Sequence, residues 1–436
     1  MKDISQVIRA CFCICVLEGF VALAPLPASA QQGVTLDEAV DKALARSPQM
    51  LQQDQSVDNA ALARRSAWAA FIPTLSGNTS GSLRSANVLD PNTGQIIPGS
   101  SDSYSAGLSA RVDLFRGGSR FLELDQTDAN MEAAVARREA QLYAVTLQTK
   151  NLFFTALRQA DLLDVSNQRV EQAQQNLDIV RARAQVGRAT ISDSLRARLD
   201  LVNARQAVLQ GETALRASRF ALGRQVGEAA PVQPVRPDGL DPTPLGMTEE
   251  EIMQLAEAAS PAVVAADYFR RAAASEVTVS KSAYLPTISM STGYNWNNQI
   301  RSLTGGSTSW SLGLNMSYPI WNGFQRESTV DRAQFSLRVA SLQEEDARLA
   351  ARQEADAALQ DLRTAEAAIQ IALEAAAVAA EDLRVVRARF EVGAATSFDM
   401  IISQTAADQA NIDVVTSRYD YLLARAALSA ILGREM

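Results

Sequence analysis

The sequence carries one pattern twice, and this duplication limits the folds that the chain can adopt. The string ARAQVGRATISDS at 182–194 returns 206 positions later as ARFEVGAATSFDM at 388–400. A second pair lies upstream, because WAAFIPTLSG at 68–77 is matched by SAYLPTISMS at 282–291. Self-similarity along a chain indicates repeated units that pack against one another. We therefore expect one fold built from two similar halves rather than several unrelated domains.

The order of the segments predicts a four-part division of the 436 residues. Residues 1–30 form a leader, and residues 31–229 form the first repeat. A proline-rich linker at 230–247 contains the string APVQPVRPDGLDPTPLG. The second repeat takes 248–436. Each repeat is expected to hold a short amphipathic helix, a helix that leads into a strand, a hairpin and two long helices.

The first thirty residues have the features of a secretory signal peptide. Lys2 and Arg9 precede an apolar stretch, and Ala-Ser-Ala at 28–30 fits a signal-peptidase site. We therefore expect export by the Sec route. All three cysteines of the chain fall in this segment, so the exported part needs no disulfide.

The composition removes several classes of function. The chain has no histidine, and its formal net charge is −8. Without histidine there is no imidazole base for a Ser-His or Cys-His nucleophile, and no metal site built from Cys and His. The acidic balance argues against nucleic acid, which binds basic surfaces. We expect no catalytic residues, no cofactor and no metal.

Four segments alternate apolar residues with small or polar ones. The alternation is cleanest at 287–297 and 309–320, and segments at 74–84 and 103–114 match them in the first half. They predict two hairpins, at about 74–115 and 287–320, the first with a polar loop that carries Pro91, Gly94, Pro98 and Gly99. Apolar residues outward and small residues inward are typical of an outer-membrane β-barrel, although a soluble antiparallel sheet shows the same alternation. Aromatic residues near the strand ends would lie at the membrane interface: Tyr104, Tyr294, Trp296, Trp310, Tyr318 and Trp321.

Four strands per chain are too few to close a barrel. A membrane admits no open sheet edge, and the smallest closed barrels have about eight strands. Copies of the chain must therefore combine, as a dimer with eight strands or a trimer with twelve. An eight-stranded barrel is filled by its own side chains, so the small inward residues favour a trimer with an open lumen.

Two long helices are predicted at 118–185 and 324–391. Each would span near 100 Å at about 1.5 Å per residue, which is too long for a compact domain. The first helix has a mostly apolar seam from Val145 to Ala184. A coiled coil without a membrane part is the alternative interpretation of these stretches alone. In the second helix, residues at spacings of four and three form a heptad seam: Ala351, Ala355, Ala358, Leu362, Ala365, Ile369, Ala372, Ala376, Ala379, Leu383, Val386 and Phe390.

The repeated string predicts a helix-turn-helix reversal at one end of each long helix. Gly187 and Gly393 can take the left-handed conformation that ends a helix. Asp193 and Asp399 each follow a threonine by three residues, which is the spacing of a capping box. Because the strands join the other end of the long helices, the reversals are expected far from the membrane.

The whole predicted mature chain resembles the TolC-like outer-membrane efflux protein family, the outer-membrane factors. The resemblance rests on the two Val-Gly turns, on FIPTLSG and YLPTISM before the strands, on DLFRGGSR and PIWNGFQR after them, and on the closing ALGRQVG and AILGREM. It implies a mixed α/β membrane protein, in which an outer-membrane β-barrel, with four strands per chain and twelve per trimer, continues into a long periplasmic α-helical coiled-coil barrel. It also implies a passive exit duct of a tripartite efflux pump or a type I secretion system. Its partners would be a periplasmic adaptor and an inner-membrane pump.

The resemblance also gives roles to the residues of the reversals. Asp193 and Asp399 match aspartates of the periplasmic aperture, and Phe390 stands where an aromatic residue helps to hold the closed state. The chain departs from the family at Ala395, in place of a tether arginine, and at Ile402, in place of an acidic residue. Helix capping is the alternative role for the aspartates, as dipole complementation is for the arginines. Docking of the adaptor is expected at the two turns, at Arg183, Val186, Gly187, Arg188, Arg389, Val392 and Gly393.

Two other classes of function fit parts of the sequence. A periplasmic coiled-coil adaptor or structural protein without a pore would share the leader and the heptads, but the aromatic-rich hairpins would have no role in it. An exported hydrolase would need a Ser-Lys or carboxylate pair, and the lysines after the leader lie in no nucleophile motif.

Overall fold

The computed structural model describes residues 33–89, 93–237, 245–298 and 305–435. The predicted signal peptide and the middle of the predicted linker lie outside these residues. Within them the chain forms eight α-helices, a 3₁₀ turn at Ser282–Tyr284 and four β-strands. In chain order the elements are α1 (Leu36–Arg46), α2 (Pro48–Ala69), β1 (Thr74–Leu89), β2 (Ile96–Arg116), α3 (Ser119–Gln185), α4 (Ile191–Gln225), α5 (Glu249–Ala259), α6 (Pro261–Lys281), β3 (Thr287–Asn298), β4 (Ser307–Ser317), α7 (Gln325–Glu391) and α8 (Ser397–Leu432).

The helices of the two halves match in length and in how they begin. α1 and α5 have 11 residues each, α2 and α6 have 22 and 21, α3 and α7 have 67 each, and α4 and α8 have 35 and 36. Thr35 and Thr248 start α1 and α5 with capping boxes. Pro48 and Pro261 open α2 and α6, at a position where the missing N–H costs nothing. The same local chemistry therefore starts the same helices in each half.

The two long helices are present where the sequence predicts them. α3 and α7 agree with the predicted bounds to within one residue. Every residue of the seam predicted in α7 is buried or half-buried, and so is every equivalent position in α3. α3 packs along α4, α7 packs along α8, and α6 packs against both long helices. No helix in the described ranges combines the length and apolar composition that a transmembrane helix needs.

The four strands form one antiparallel sheet in the order β1-β2-β3-β4. Pro73 and Pro286 directly precede β1 and β3, as predicted. β1 and β4 lie at the two edges of the sheet, so one side of each has no neighbouring strand in the described part of the chain.

The first hairpin is longer than its sequence predicts. β1 runs to Leu89 and β2 begins at Ile96, so the prediction of a loop through Pro98 and Gly99 is wrong. Among the described residues, none of β3 pairs with this part of β2, which pairs with β1. A strand with one free edge is where proline is tolerated, because its missing N–H then breaks no ladder in the sheet interior.

The second hairpin is shorter than its sequence predicts. β4 ends at Ser317, so Tyr318 and Ile320, which continue the alternation, follow the strand instead of extending it. Pro319 has no N–H to donate to a ladder, which explains the early end. Trp321 consequently lies in the connection to α7.

The register sorts the side chains of the sheet onto an apolar face and a polar face. Leu108 of β2 is opposite Tyr294 of β3, which is opposite Trp310 of β4. The next row projects from the other face, where the hydroxyls of Ser76 and Ser109 are 2.8 Å apart. The apolar face is uncovered, since Trp310 is 69% exposed.

A β-bulge alters the apolar face near the helices. The alternation predicts Val112 and Leu114 on the same face. The register shifts between Asp113 and Phe115, so that Phe115 is opposite Ile288. Leu114 is the extra residue of the bulge, and Phe115 takes its place in the apolar rows.

The largest apolar clusters lie where the short helices meet the long ones. In the second half, one cluster joins α5 to α7 and α8 through Ile252, Met253, Leu359, Leu362 and Leu428. In the first half, another joins the segment before α1 to α3, α4 and α8 through Val34, Phe153, Leu222, Val232 and Tyr419.

The start of the predicted linker is fixed to the first half. Val34 forms an isolated β-bridge with Pro234, and Val232 is buried in the same cluster. Gly223 of α4 leaves room for this segment, because a Cβ at that position would lie 2.4 Å from the carbonyl oxygen of Ala230.

Gly223→Ala is expected to lower the melting temperature of the purified protein, because the added methyl group would overlap the backbone of Ala230. Overpacking costs about 1–3 kcal/mol, of which alanine regains at most about 1 kcal/mol as helix propensity. The matched control is Gly211→Ala in the same helix, where the nearest atom is the Cδ1 of Leu163 at 3.2 Å. We expect little change in the control, and equal losses in thermal circular dichroism melts would contradict this explanation.

Candidate functional site

The two reversals at the ends of the long helices have the same backbone geometry. The N–H of Arg188 donates to the carbonyl of Arg183 at 2.8 Å, and the N–H of Gly187 donates to that of Ala184 at 3.1 Å. The second reversal, centred on Gly393, repeats both bonds at 2.8 and 3.0 Å. Together the bonds form Schellman motifs, which satisfy carbonyl groups at the helix end.

The backbone requires glycine in both reversals. Gly187 and Gly393 have φ values of +73° and +82°, in the left-handed region that side chains with a Cβ rarely adopt. A Cβ at either position would meet no atom within 4 Å. Conformation and not lack of space therefore explains why the sequence keeps the glycine in both halves.

Asp193 and Asp399 cap the helices that follow the reversals. The backbone N–H and the hydroxyl of Thr190 donate to Oδ2 of Asp193 at 3.0 and 2.7 Å, and Thr396 does the same to Asp399 at 2.9 and 2.8 Å. The hydroxyl of Thr190 is the main cause that lowers the pKa of Asp193, and the backbone N–H of Thr396 the main cause that lowers the pKa of Asp399. The predicted capping boxes are thus present, with both carboxylates held in the ionised form.

Arg183 connects the two reversals. Its guanidinium lies over the ring of Phe390, 4.1 Å from the centroid, and its Nη2 donates to the carbonyl of Glu391 at 3.0 Å. Phe390 is 5% exposed and packs in a cluster with Leu177 and Leu201. The tip of α7 is therefore fastened to the hairpin of α3 and α4. The sequence singled out Arg183 and Phe390 separately, and the structure brings them into contact.

The other residues assigned to adaptor docking lie at the surface of the turns. Val186 and Val392 are 69% and 82% exposed. Arg188 is exposed as well. Arg389 donates to the carbonyl of Ala394 in its own turn at 3.3 Å. The turns thus present apolar and cationic side chains to the solvent, and their role in docking stays a prediction.

Ala395 and Ile402, the two positions that depart from the family pattern, hold apolar side chains near the second reversal. Ala395 is half-buried beside the cluster that contains Phe390. Ile402 is 52% exposed on α8, three residues after Asp399. Any contact that holds this tip closed must therefore use groups other than an arginine at position 395 and a carboxylate at position 402.

The six aromatic residues assigned to the membrane interface fall into two groups. Tyr318 and Trp321 follow β4 on the side of the helices, and they are 52% and 69% exposed. The other four lie on the apolar face of the sheet. Tyr294, Trp296 and Trp310 are near the end of the second hairpin, whereas Tyr104 is in the middle of the first, opposite Gly81, and not near the strand end as predicted. The location of the other five suits an interface, and the interfacial role stays a prediction.

Three aromatic residues that sequence reasoning did not assign to the interface, Phe71, Phe121 and Phe324, lie where the sheet joins the helices. The ring centroids of Phe71 and Phe121 are 5.2 Å apart, and the guanidinium of Arg120 lies 4.7 Å from that of Phe71. Trp321 and Phe324 form a similar pair at 4.8 Å. The signal was present in FRGGSRF and WNGFQR, where aromatic residues and arginine surround glycines. Exposed aromatic residues next to an apolar sheet face are typical of a membrane interface.

The described residues hold no group of three or more His, Cys, Asp or Glu side chains placed to bind a metal ion. Their distinctive features are a sheet with an uncovered apolar face, unpaired sheet edges and long paired helices that end in matched reversals. This combination of features is typical of one subunit of an outer-membrane channel whose strands pair between copies.

Comparison with known proteins agrees with this class. The sequence profile of the family described as outer membrane efflux protein matches residues 39–228 and 252–434. The chain therefore belongs to the outer membrane efflux protein family, and the resemblance stated from its motifs is confirmed.

Individual proteins extend the comparison over most of the chain. Outer membrane protein TolC of Vibrio cholerae is 22% identical over 415 residues, which cover 93% of this chain and 92% of the relative. Protein CyaE of Bordetella pertussis is 28% identical over 338 residues, covering 74% and 67%. The crystal structure of the outer membrane protein VceC from Vibrio cholerae has a TM-score of 0.78 at 16% identity and covers 92% of this chain and 96% of that one. The structural similarity confirms the expected fold class.

Asp399→Asn is expected to loosen the first turn of α8 more at neutral pH than in acid. Because the pKa of Asp399 is lowered in the folded chain, its ionised form stabilises the helix start above that pKa, and this contribution is lost as the pH falls through it. Amide hydrogen exchange of segment 394–402, measured by mass spectrometry, should be faster than in wild type at about pH 7, and the difference should shrink as the pH falls below the ordinary value of 3.8.

The control for this measurement is Asp413→Asn, further along α8, whose carboxylate accepts a bond from Gln409 at 2.8 Å. It should leave the exchange of segment 394–402 unchanged. An effect of Asp399→Asn that does not shrink as the pH falls would contradict capping by the ionised carboxylate.

Proposed function

We propose that the chain forms, as a homotrimer, the outer-membrane exit duct of a tripartite efflux pump or a type I secretion system. It conducts its substrates passively from the periplasmic side to the exterior and catalyses no reaction. The observation that carries this proposal is the four-stranded sheet with an uncovered apolar face and two unpaired edges, attached to helices of 67 residues. Membership of the outer membrane efflux protein family supports it.

The edges of the sheet explain why three copies would close a barrel. β1 and β4 run in opposite directions, so β4 of one copy can pair antiparallel with β1 of the next. Three copies then supply twelve strands in a closed cylinder without a free edge. The apolar face would contact lipid, and the serine- and glycine-rich face would line the lumen.

Exposed apolar residues on the helices favour the same assembly. Leu195, Leu199, Val202 and Leu209 of α4 are each at least half exposed, at heptad spacing. This row is separate from the seam that α4 packs against α3, whose members Ala197, Leu201 and Ala204 are buried. A second apolar row at heptad spacing is the seam that a helix of a neighbouring copy would cover.

The predicted leader supports export by the Sec route and a periplasmic position for the helices. The reversals would then be the end that faces the inner membrane. Val186, Val392 and Arg188 at their surface suit docking of helices from a periplasmic adaptor that joins the duct to an inner-membrane pump. Nucleic acid is not among the partners.

The reversals would also form the aperture of the duct. Three copies of Asp193 and Asp399 would place carboxylates around the narrow end, where they attract cations. The contact of Arg183 with Phe390 and with the carbonyl of Glu391 would hold the tip of α7 in the closed state. This contact would supply the tether for which the family uses an arginine at the position of Ala395.

Single-channel recording in planar bilayers tests the duct. The purified wild type should form stable pores, and a divalent cation added on the side of the reversals should block them. Asp399→Ala should weaken the block about tenfold, equivalent to about 1.4 kcal/mol of binding. The control is Glu381→Ala, which removes an exposed carboxylate of α7 that pairs with Arg384 and should leave the block unchanged.

The same recordings separate the parts of the proposal. Phe390→Ala should raise the resting conductance, because it removes the ring against which Arg183 is held. Pores with unchanged divalent block would keep the duct and reduce Asp399 to a helix cap. Folded protein that forms no pores would overturn the duct and favour a periplasmic coiled-coil protein.

A further inference from the structure

Buried polar atoms without a hydrogen-bond partner concentrate in two stretches of the described structure, which meet at the contact of Arg169 with Asp408. Six of the twelve such atoms belong to residues 169–176 of α3 or 397–408 of α8. Buried polar groups are ordinarily paired, so a cluster of exceptions needs an explanation. The six are Arg169 Nε, Gln172 Oε1, Asn176 Oδ1, Ser397 Oγ, Gln404 Nε2 and Asp408 Oδ2. We call this contact the polar seam.

One arginine serves two carboxylates in the polar seam. Arg169 of α3 lies 3.5 Å from Asp200 of α4 through its Nη2 and 3.5 Å from Asp408 of α8 through its Nε. The contact with Asp408 lacks hydrogen-bond geometry. The side chains of Asp200 and Asp408 are 12% and 6% exposed. When both are ionised, the group has a net negative charge and little access to water.

Burial makes the ionised form of Asp408 unfavourable. It is the main cause that raises the pKa of Asp408 to about 6, while Arg169 opposes the shift and Asp200 adds to it. α7 packs along the other side of α8, and its Asp382 faces α8. The carboxylate of Asp382 accepts a hydrogen bond from the hydroxyl of Ser403 of α8 at 2.6 Å. The charged groups that act on Asp408 are therefore Arg169 and Asp200.

The polar seam connects two helical hairpins, α3–α4 and α7–α8, each of which is held together by apolar contacts. α3 packs on α4 through residues such as Leu177 and Leu201, and α7 packs on α8 through seams that are mostly alanine. At the level of Asp408, about 16 Å from the start of α8, polar atoms join the two hairpins instead. A contact that leaves polar groups unpaired is the weakest of the three.

We propose that Asp408, with Arg169 and Asp200, forms a proton-binding site that controls how tightly α8 is held against the α3–α4 hairpin. Below about pH 6 the neutral carboxyl can remain buried at little cost, and the hairpins stay together. At higher pH the ionised carboxylate favours hydration, which it gains when the hairpins separate. For a carboxyl with a raised pKa, the packed state loses stability as the pH rises through that pKa, and so acid tightens the seam. The consequence for an aperture at the end of these helices rests on the proposed function.

A buried cysteine tests the site without requiring a pore. Gln404 lies one turn before Asp408 on the same face of α8 and is 6% exposed. Gln404→Cys is made in the full chain after the native cysteines are replaced by alanine, and its reaction with a water-soluble maleimide is followed between about pH 5 and about pH 7.5. The same probe in an Asp408→Asn background gives the pH dependence of the reagent and thiol alone.

The decisive quantity is the reaction rate of Gln404→Cys with Asp408 present, divided by the rate in the Asp408→Asn background. It should rise about tenfold between pH 5 and 7.5 with a midpoint near 6, if the released carboxyl titrates near 3.8. In Asp200→Asn, Arg169 no longer serves a second carboxylate besides Asp408, so the midpoint should move to lower pH. A ratio that does not change with pH, or a midpoint that stays or rises in Asp200→Asn, would overturn the proposal. The duct would be unaffected, because its pores are measured separately.

Discussion

The edge strands of a four-stranded sheet impose the constraint on which the rest of this structure depends. A backbone N–H or C=O group left unpaired in hydrocarbon costs several kcal/mol, so a sheet with an apolar face cannot enter a membrane while β1 and β4 have free edges. Copies of the chain must supply the missing strands. The small residues of the polar face, the antiparallel order and the helices that follow every hairpin all suit that requirement. Under the proposed function, the chain is one third of a closed cylinder rather than an independent domain.

The helical part shows a gradient from fixed to adjustable contacts. Near the short helices, the apolar cluster around Phe153 joins α8 to the first half, and the cluster around Leu362 holds the second half together. Near the reversals, the hairpins are joined by the stacking of Arg183 on Phe390 and by a polar seam with unpaired atoms. Contacts that satisfy few of their polar groups separate at low cost. Under the proposed function, the aperture lies at the end where the hairpins are joined by Phe390, its apolar cluster and the polar seam.

Local features of this fold could be predicted from the sequence, and contacts between distant segments could not. The reversal at Gly187 follows from a positive φ and a capping threonine, which short-range rules describe. The extension of β2 through Pro98 depends on its pairing with β1 up to Leu89, which no local rule gives. The contacts of Arg183 with Phe390 and of Arg169 with Asp408 each join residues more than 200 positions apart. Their formation depends on the relative register of long helices, and a heptad pattern is compatible with several registers.

Cross-linking between neighbouring copies tests most directly whether the edge strands close a cylinder of three chains. A cysteine in place of Ser76 on β1 would be combined, in a background without native cysteines, with one at each polar-face position of β4 from Ser307 to Asn315. The account predicts that one register yields disulfide-linked dimers and trimers on denaturing gels and nothing larger, while a control pair at Ser105 and Asn297, which are opposite each other within one chain, stays monomeric. Links that form only within a single chain, ladders that continue beyond three chains, or no links in any register would contradict it.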